Sequence, residues 1–254
     1  MTKSFKSAVL VAMALFVASG HGMLAQDAAN ALPKAADVLA KSAAAMGGLE
    51  AFKTVKSVRA RGTFEMAAQN LSGTVEVIQA RPDKVRLTVA IPGIGTIENG
   101  CDGKICWSND PMSGPSLLSG KALADALSEA QFDAAFNGPE FVKEAHMLEK
   151  TKFGDRPAYK IHVISKFNSE STIFIDAETY FQIGIEKVSE TPMGAMPTTT
   201  SAGQFQKFGA FTQPTVIVQN AMGFDQVIRL TSYEYDVVPA TAWELPPAIK
   251  ALIK

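Results

Sequence analysis

The side chains that could carry out chemistry are few and scattered. Cys101 and Cys106 are the only two cysteines, five apart across the turn signal Asp102-Gly103. With a two-residue turn, Cys101 faces Lys104 and Cys106 lies diagonally on the same face. That geometry is tight for a disulfide, and a longer loop would relax it. His146 and His162 fit neither a CxxC nor an HExxH pattern, so no metal site and no cofactor are expected. Ser116, within Gly114-Pro115-Ser116-Leu117-Leu118, departs from the nucleophile-elbow pattern, and no His and Asp partner set is implied for it. Gly93-Ile94-Gly95 lacks the third glycine and the following helix of a dinucleotide fingerprint. Glu186 and Glu190 are paired carboxylates that nothing marks for glycoside chemistry. These residues give the expectation that the chain is not an enzyme.

The elements around these residues are mostly strands. Val85, Leu87, Val89 and Ile91 alternate with Lys84, Arg86, Thr88 and Ala90, a period-2 pattern with one apolar face. Gly95 to Cys101 and a run through Ile105 and Trp107 continue it as consecutive hairpins. Upstream, Val55 to Met66 and Leu71 to Ala80 are further strands. Val38, Leu39, Ala45, Met46 and Leu49 fall at helical spacing before them, and Gly47-Gly48 supplies the stop. Asp110 to Gly120 is read as a loop, and Lys121 to Asn137 as a second helix with Leu123 and Leu127 on its apolar stripe. Strands resume at Val142, and Thr191 to Ser201 is read as the longest unpatterned loop. No helix separates the strands between Val55 and Asp110, which excludes a parallel α/β sheet there. The sum is an α+β chain of about ten to twelve antiparallel strands and two helices. Two helices cover only part of so large an apolar face, so the sheet either curls into a partial barrel or dimerises.

The chain has 254 residues, 24 Lys and Arg against 25 Asp and Glu, and a formal net charge of -1. Bulk charge therefore gives no case for nucleic acid or for an anionic membrane surface. Lys3 and Lys6 precede the apolar run Ala8 to Ala18, which is short for a bilayer span and reads as a signal peptide. Residues 1–25 are expected to be that leader and 26–254 a single domain. Cleavage after Gly22 and a retained N-terminal anchor stay open as alternatives. Without Lys3 and Lys6 the balance is 22 bases to 25 acids. An oxidising, periplasmic or extracellular compartment favours a Cys101–Cys106 disulfide.

Several segments together resemble the periplasmic lipoprotein-carrier superfamily, the LolA/LolB-like fold, and its outer membrane lipoprotein-sorting-like branch. They are Ala44-Ala45-Met46-Gly47-Gly48-Leu49-Glu50, Arg81-Pro82-Asp83-Lys84-Val85-Arg86, Asp102-Gly103-Lys104 with Trp107, Thr172-Ile173-Phe174-Ile175-Asp176 with Thr179, and Trp243-Glu244-Leu245-Pro246. The resemblance implies a strongly curved antiparallel half-barrel whose concave face is covered by helices. It also implies a lipid or lipidated protein as ligand and an envelope protein as a possible partner. Candidates for an apolar cavity are Phe64, Met66, Leu87, Val89, Ile91 and Trp107 on the sheet, with Leu123 and Leu127 on the second helix. Arg59 and Arg61 belong to the opposite, solvated face, and Met112, Met193 and Met196 to loops. The rival expectations are an envelope scaffold with a filled core and, third, an exported hydrolase.

Overall fold

The computed structural model describes residues 32–191 and 194–253; the expected leader lies outside them, as does Met193. Helix α1 (Ala35–Ala45) forms where apolar spacing and a first-turn Asp37 favour it, and it buries Val38, Leu39, Ser42 and Ala43. Gly47 and Gly48 end it at φ 116° and 89°. Gly47 also has to be small, because a Cβ there would lie 2.8 Å from the Ala210 carbonyl and from the Phe211 ring. Helix α2 (Leu49–Phe52) is a single turn that delivers Phe52 to the core.

Thirteen strands then form one antiparallel sheet. They are β1 (Ser57–Met66), β2 (Leu71–Ala80), β3 (Lys84–Ile91), β4 (Gly95–Cys101), β5 (Cys106–Asp110), β6 (Gly114–Leu117), β7 (Val142–Phe153), β8 (Arg156–Ser165), β9 (Glu170–Asp176), β10 (Gln182–Thr191), β11 (Gly194–Phe208), β12 (Phe211–Ala221) and β13 (Phe224–Tyr235). Their order is β6-β5-β4-β3-β2-β1-β13-β12-β11-β10-β9-β8-β7. Two meanders are thus joined by the long-range pairing of β1 with β13. The sheet is strongly curved and does not close. Its free edges are β6 and β7, which are consecutive in the chain, so the connection between them must cross from one edge to the other. Helix α3 (Gly120–Ala130) makes that crossing over the inner face. A short helix α4 (Pro247–Lys250) ends the described chain and packs against β5 and β6.

The structure departs from the sequence pattern in three places. The expected loop Thr191–Ser201 is mostly strand, with Ser189 opposite Met196 and Val188 opposite Pro197. Pro197 is tolerated because pairing of β11 with β12 begins only at Thr198. The expected loop Asp110–Gly120 contains the short strand β6. The expected helix 121–137 stops at Ala130, and a separate 3-10 turn, Ala134–Phe136, follows. Tertiary bonds compete with the helix there: the Phe132 N–H donates to the Pro82 carbonyl at 3.0 Å, and Asp133 is taken by Arg81.

The disulfide is present between Cys101 and Cys106. The connection is longer than a two-residue turn, so the cysteines pair directly. Asp102 shapes it by accepting from the N–H groups of Lys104 and Ile105 at 3.0 and 2.8 Å. Because the closed loop is short, replacing both cysteines with alanine is expected to cost about 2 kcal/mol on the loop-entropy argument, with the fold retained. Urea unfolding of the variant beside the oxidised protein checks this.

Asp176 organises the β9–β10 turn and is 1 % exposed. Burial alone would raise its pKa. Donation from the N–H and hydroxyl of Thr179, from the Glu178 N–H and the charge of Arg156 outweigh burial and hold it below the usual carboxylate value. A depressed folded pKa gives stability that is complete above the unfolded value and is lost as pH falls through the folded one. Asp176→Asn is therefore expected to cost about 2 kcal/mol at neutral pH. It should also shrink the stability loss that the wild type shows below about pH 4. Urea midpoints at neutral pH and at acid pH test both.

Candidate functional site

Alternation sends every second residue to the inner face, and the registers align these residues across strands. One row runs Leu87, Val77, Ala60, Tyr233. The next runs Ile97, Val89, Val75, Gly62, Leu230. A third runs Gly73, Phe64, Ile228, Ile217. These side chains form a single cluster in which Ala60, Phe64, Val75, Val89, Ile91 and Leu230 are buried. Met66, Leu71, Val77, Leu87, Ile94, Ile97, Ile217 and Ile228 are only partly buried in it, and among the described residues no helix residue belongs to it. This half of the inner face is therefore an apolar trough with a half-open lining.

The other half is covered. Val38 and Leu39 of α1 pack on Ile161, Val163, Ile173 and Ile175 as a filled core. Phe52, Phe132, Phe136 and Phe211 plug the space between α2 and the sheet, with ring centroids 4.6 to 5.2 Å from Phe52. Helix α3 bridges the two halves through unlike contacts. Its apolar side, with Leu123, Leu127 and Ala130, lies on the disulfide and Val85. Its polar side reaches β9 and β10. There Lys121 pairs with Asp125 at 2.5 Å, Asp125 accepts from Ser169 at 2.7 Å, and Glu129 pairs with Lys187.

Space remains under this bridge. A cavity of about 400 Å³ is lined by Ser128 and Ala134 on one side and Ile173, Ile185, Lys187, Thr200 and Gln219 on the other. A second, more apolar hollow of about 570 Å³ lies between α1, α2 and the start of β7, walled by Ala36, Leu39, Ala40, Ala43, Phe136 and Val142. Asn137 lines both, held by a 2.8 Å bond from its side-chain amide to Gln182. Both volumes fall in the usual range for small-molecule pockets.

Phe64, Met66, Leu87, Val89 and Ile91 are brought together in the trough. Leu123 and Leu127 lie in the neighbouring cluster under α3. Trp107 stands apart. It pairs across Gly100, one residue out of phase with Cys101, and so points to the outer face. A Cβ on Gly100 would overlap its ring. Arg86 lies 5.8 Å from the ring and bonds the Glu244 carbonyl of the C-terminal segment. The alanines of α1 and the trough residues Ile217, Ile228 and Leu230 went unrecognised in the sequence. The period-2 pattern of β12 and β13 was the available signal for the latter.

The chemistry-bearing residues do not converge. Ser116 is on edge strand β6, whereas His146 and His162 face each other on β7 and β8 at the opposite edge of the sheet order. The histidines contact Glu144 and Glu170 at 3.5 and 3.6 Å. Among the described residues no group of three or more His, Cys, Asp or Glu could hold a metal ion. Arg59 and Arg61 lie on the outer face, each paired with Glu76.

No protein-family model matches the sequence, and no curated protein is similar to it. Solved structures do match in shape. A LolA superfamily protein from Nitrosomonas europaea superposes with a TM-score of 0.57 at 13% identity, covering 84% of this chain and 99% of that one. A DUF1329 family protein from Desulfovibrio piger gives 0.57 at 10% identity over 84% and 97%. An outer membrane lipoprotein-sorting protein domain from Vibrio parahaemolyticus gives 0.51 at 10% identity over 81% and 94%. At these identities the likeness is one of fold: the chain is a LolA-like half-barrel, an open curved antiparallel sheet with helices over its inner face.

Proposed function

We propose that the protein is an exported, non-enzymatic carrier that holds a lipid acyl chain, or a ligand of similar apolarity, against the inner face of the half-barrel. The observation that carries this is the apolar trough of Phe64, Leu87, Val89, Ile217 and Ile228, whose lining is partly buried and to which no helix among the described residues contributes. Each methylene laid into such a surface contributes about 0.8 kcal/mol, so an acyl chain is a sufficient ligand without any charged contact. The hollows beside α1 and under α3 are room for the same ligand class. Carriage of lipoprotein acyl groups is the form of this activity that suits the fold, given the likeness to a lipoprotein-sorting domain. In this reading residues 1–25 are the leader and 26–254 the working domain, in the periplasm or outside the cell. Among the described residues no helix is long and apolar enough to cross a membrane.

The test is titration with a fluorescent fatty-acyl probe. Saturable binding that unlabelled long-chain fatty acid displaces is the expected result. Absence of saturable binding would leave the same fold as a protein-interaction scaffold.

A further inference from the structure

Six hairpins turn at the same end of the sheet, β10–β11 and the Lys166-bearing β8–β9 among them, and the other four form one neighbouring row. The closing pairs Met66 with Leu71, Ile91 with Gly95, Asp110 with Gly114 and Ala221 with Phe224 define them. The strand order makes them neighbours: β5–β6, β3–β4, β1–β2 and β12–β13. Their tips read Pro111-Met112-Ser113, Pro92-Gly93-Ile94, Ala67-Ala68-Gln69-Asn70 and Met222-Gly223, without one charge. The other end of the same sheet turns through Arg81-Pro82-Asp83, Asp102-Gly103-Lys104, Gly154-Asp155 and a turn with Glu178, all charged, and through the uncharged Gly209-Ala210.

This uncharged row of tips is also apolar where it meets solvent. Met112 is 87% exposed, Met222 60% and Phe224 44%. Hairpin turns usually place polar residues there, and a run of exposed large apolar side chains marks a contact surface. The acids flanking the tips are engaged in hydrogen bonds or lie on the outer face. Asp110 accepts from the N–H groups of Met112 and Ser113 at 2.6 and 3.2 Å. Asp225 accepts from Asn220 at 2.6 Å, and Glu65 lies on the outer face, one residue out of phase with Phe64. The rim continues into the trough, because Ile94, Met66 and Leu71 belong to the trough cluster.

We propose that this rim seats in the interfacial zone of a lipid bilayer, with the mouth of the trough towards the lipid. The chemistry favours a bilayer over a protein partner. The tips offer thioether, proline and phenyl groups in a row, with no ion pair of their own among the described residues, and an interfacial zone accepts such groups without a matching surface. The contact is independent of anchoring by basic residues, so it requires no anionic lipid. It goes beyond carriage of a ligand and does not depend on what the trough holds.

The experiment is methionine oxidation of the full chain by hydrogen peroxide, read residue by residue by mass spectrometry, with and without phosphatidylcholine vesicles. Exposed methionine is converted to the sulfoxide, and burial in lipid slows the reaction. Met112 and Met222 are expected to be protected several-fold by vesicles, at low and high salt alike. The triple variant M112D/M222D/F224D should bind vesicles at least about tenfold more weakly in flotation. It should still bind the fatty-acyl probe, which separates loss of docking from loss of the trough. Equal oxidation rates with and without vesicles would overturn the proposal. So would flotation of the triple variant equal to that of the wild type, since that places any membrane contact elsewhere in the chain.

Discussion

Replacing Arg81 with methionine is expected to lower the unfolding free energy by about 3 kcal/mol. Arg81 lies in the β2–β3 turn, and its guanidinium ties together three parts of the chain. It donates to the Val55 carbonyl at 2.7 Å and to the Phe52 carbonyl at 2.9 Å, which fixes the exit of α2. It grips both oxygens of Asp133 at 2.5 and 2.7 Å, which fixes the chain leaving α3. Its charge lies 4.7 Å from the Phe132 ring centroid. Methionine preserves the packing of the stem but leaves two carbonyls and a carboxylate without a donor. Bidentate charged bonds are strong, and the loss of one partner strands the other. About a quarter of each side chain is exposed, so water softens the cost below that of a fully buried pair. Asp133→Asn, which can still accept from Arg81, should cost about 1 kcal/mol. Urea denaturation gives both values. A loss of less than about 1 kcal/mol in Arg81→Met would show that the aromatic plug holds α2 and α3 in place without the clamp.

The second large effect is on ligand binding. Leu87→Glu is expected to weaken fatty-acyl probe binding at least about tenfold. Leu87 is partly buried in the trough and pairs with Val77 on one side and Asn99 on the other. A carboxylate there either keeps water in the trough or must be desolvated when the acyl chain arrives, and both oppose binding. Because Leu87 is only partly buried, the folding cost should stay at about 1–2 kcal/mol. Ala90→Glu is the matched control. Ala90 is three residues along the same strand, exposed and on the outer face, so its charge meets solvent and should leave probe binding unchanged. Equal binding by wild type and Leu87→Glu would place the ligand outside the trough.

How much of this was legible in the sequence depended on whether an element's inner face has apolar or polar neighbours. Strand β3 was plain because Val85, Leu87, Val89 and Ile91 all pack on apolar neighbours, so the period-2 signal is complete. Strand β11 was hidden because Thr198, Thr200 and Ala202 share its inner face, and Thr200 lines the cavity under α3 with Gln219 and Lys187. Where a sheet faces a cavity with polar walls, hydrophobic alternation has no reason to appear. Trp107 lies one residue out of phase with Cys106, which shares the face of Cys101 whether the β4–β5 connection has two residues or four, so its outer position followed from the alternation itself. The hollow beside α1 is walled by alanines, whose small side chains give no stripe to read but leave the space. The pairing of β1 with β13 joins residues more than 150 positions apart, as in Val58 with Tyr235, and no local pattern encodes it.

Recovery of bound ligand tests the carrier reading most directly. The protein, purified from the exported fraction without detergent, would be measured by native mass spectrometry and its organic extract analysed for lipid. A population heavier than the polypeptide by the mass of an acyl lipid, lost on extraction and lost in Leu87→Glu, is the expected result. A spectrum of the bare polypeptide alone, together with no lipid in the extract and no saturable uptake of the fatty-acyl probe, would contradict it.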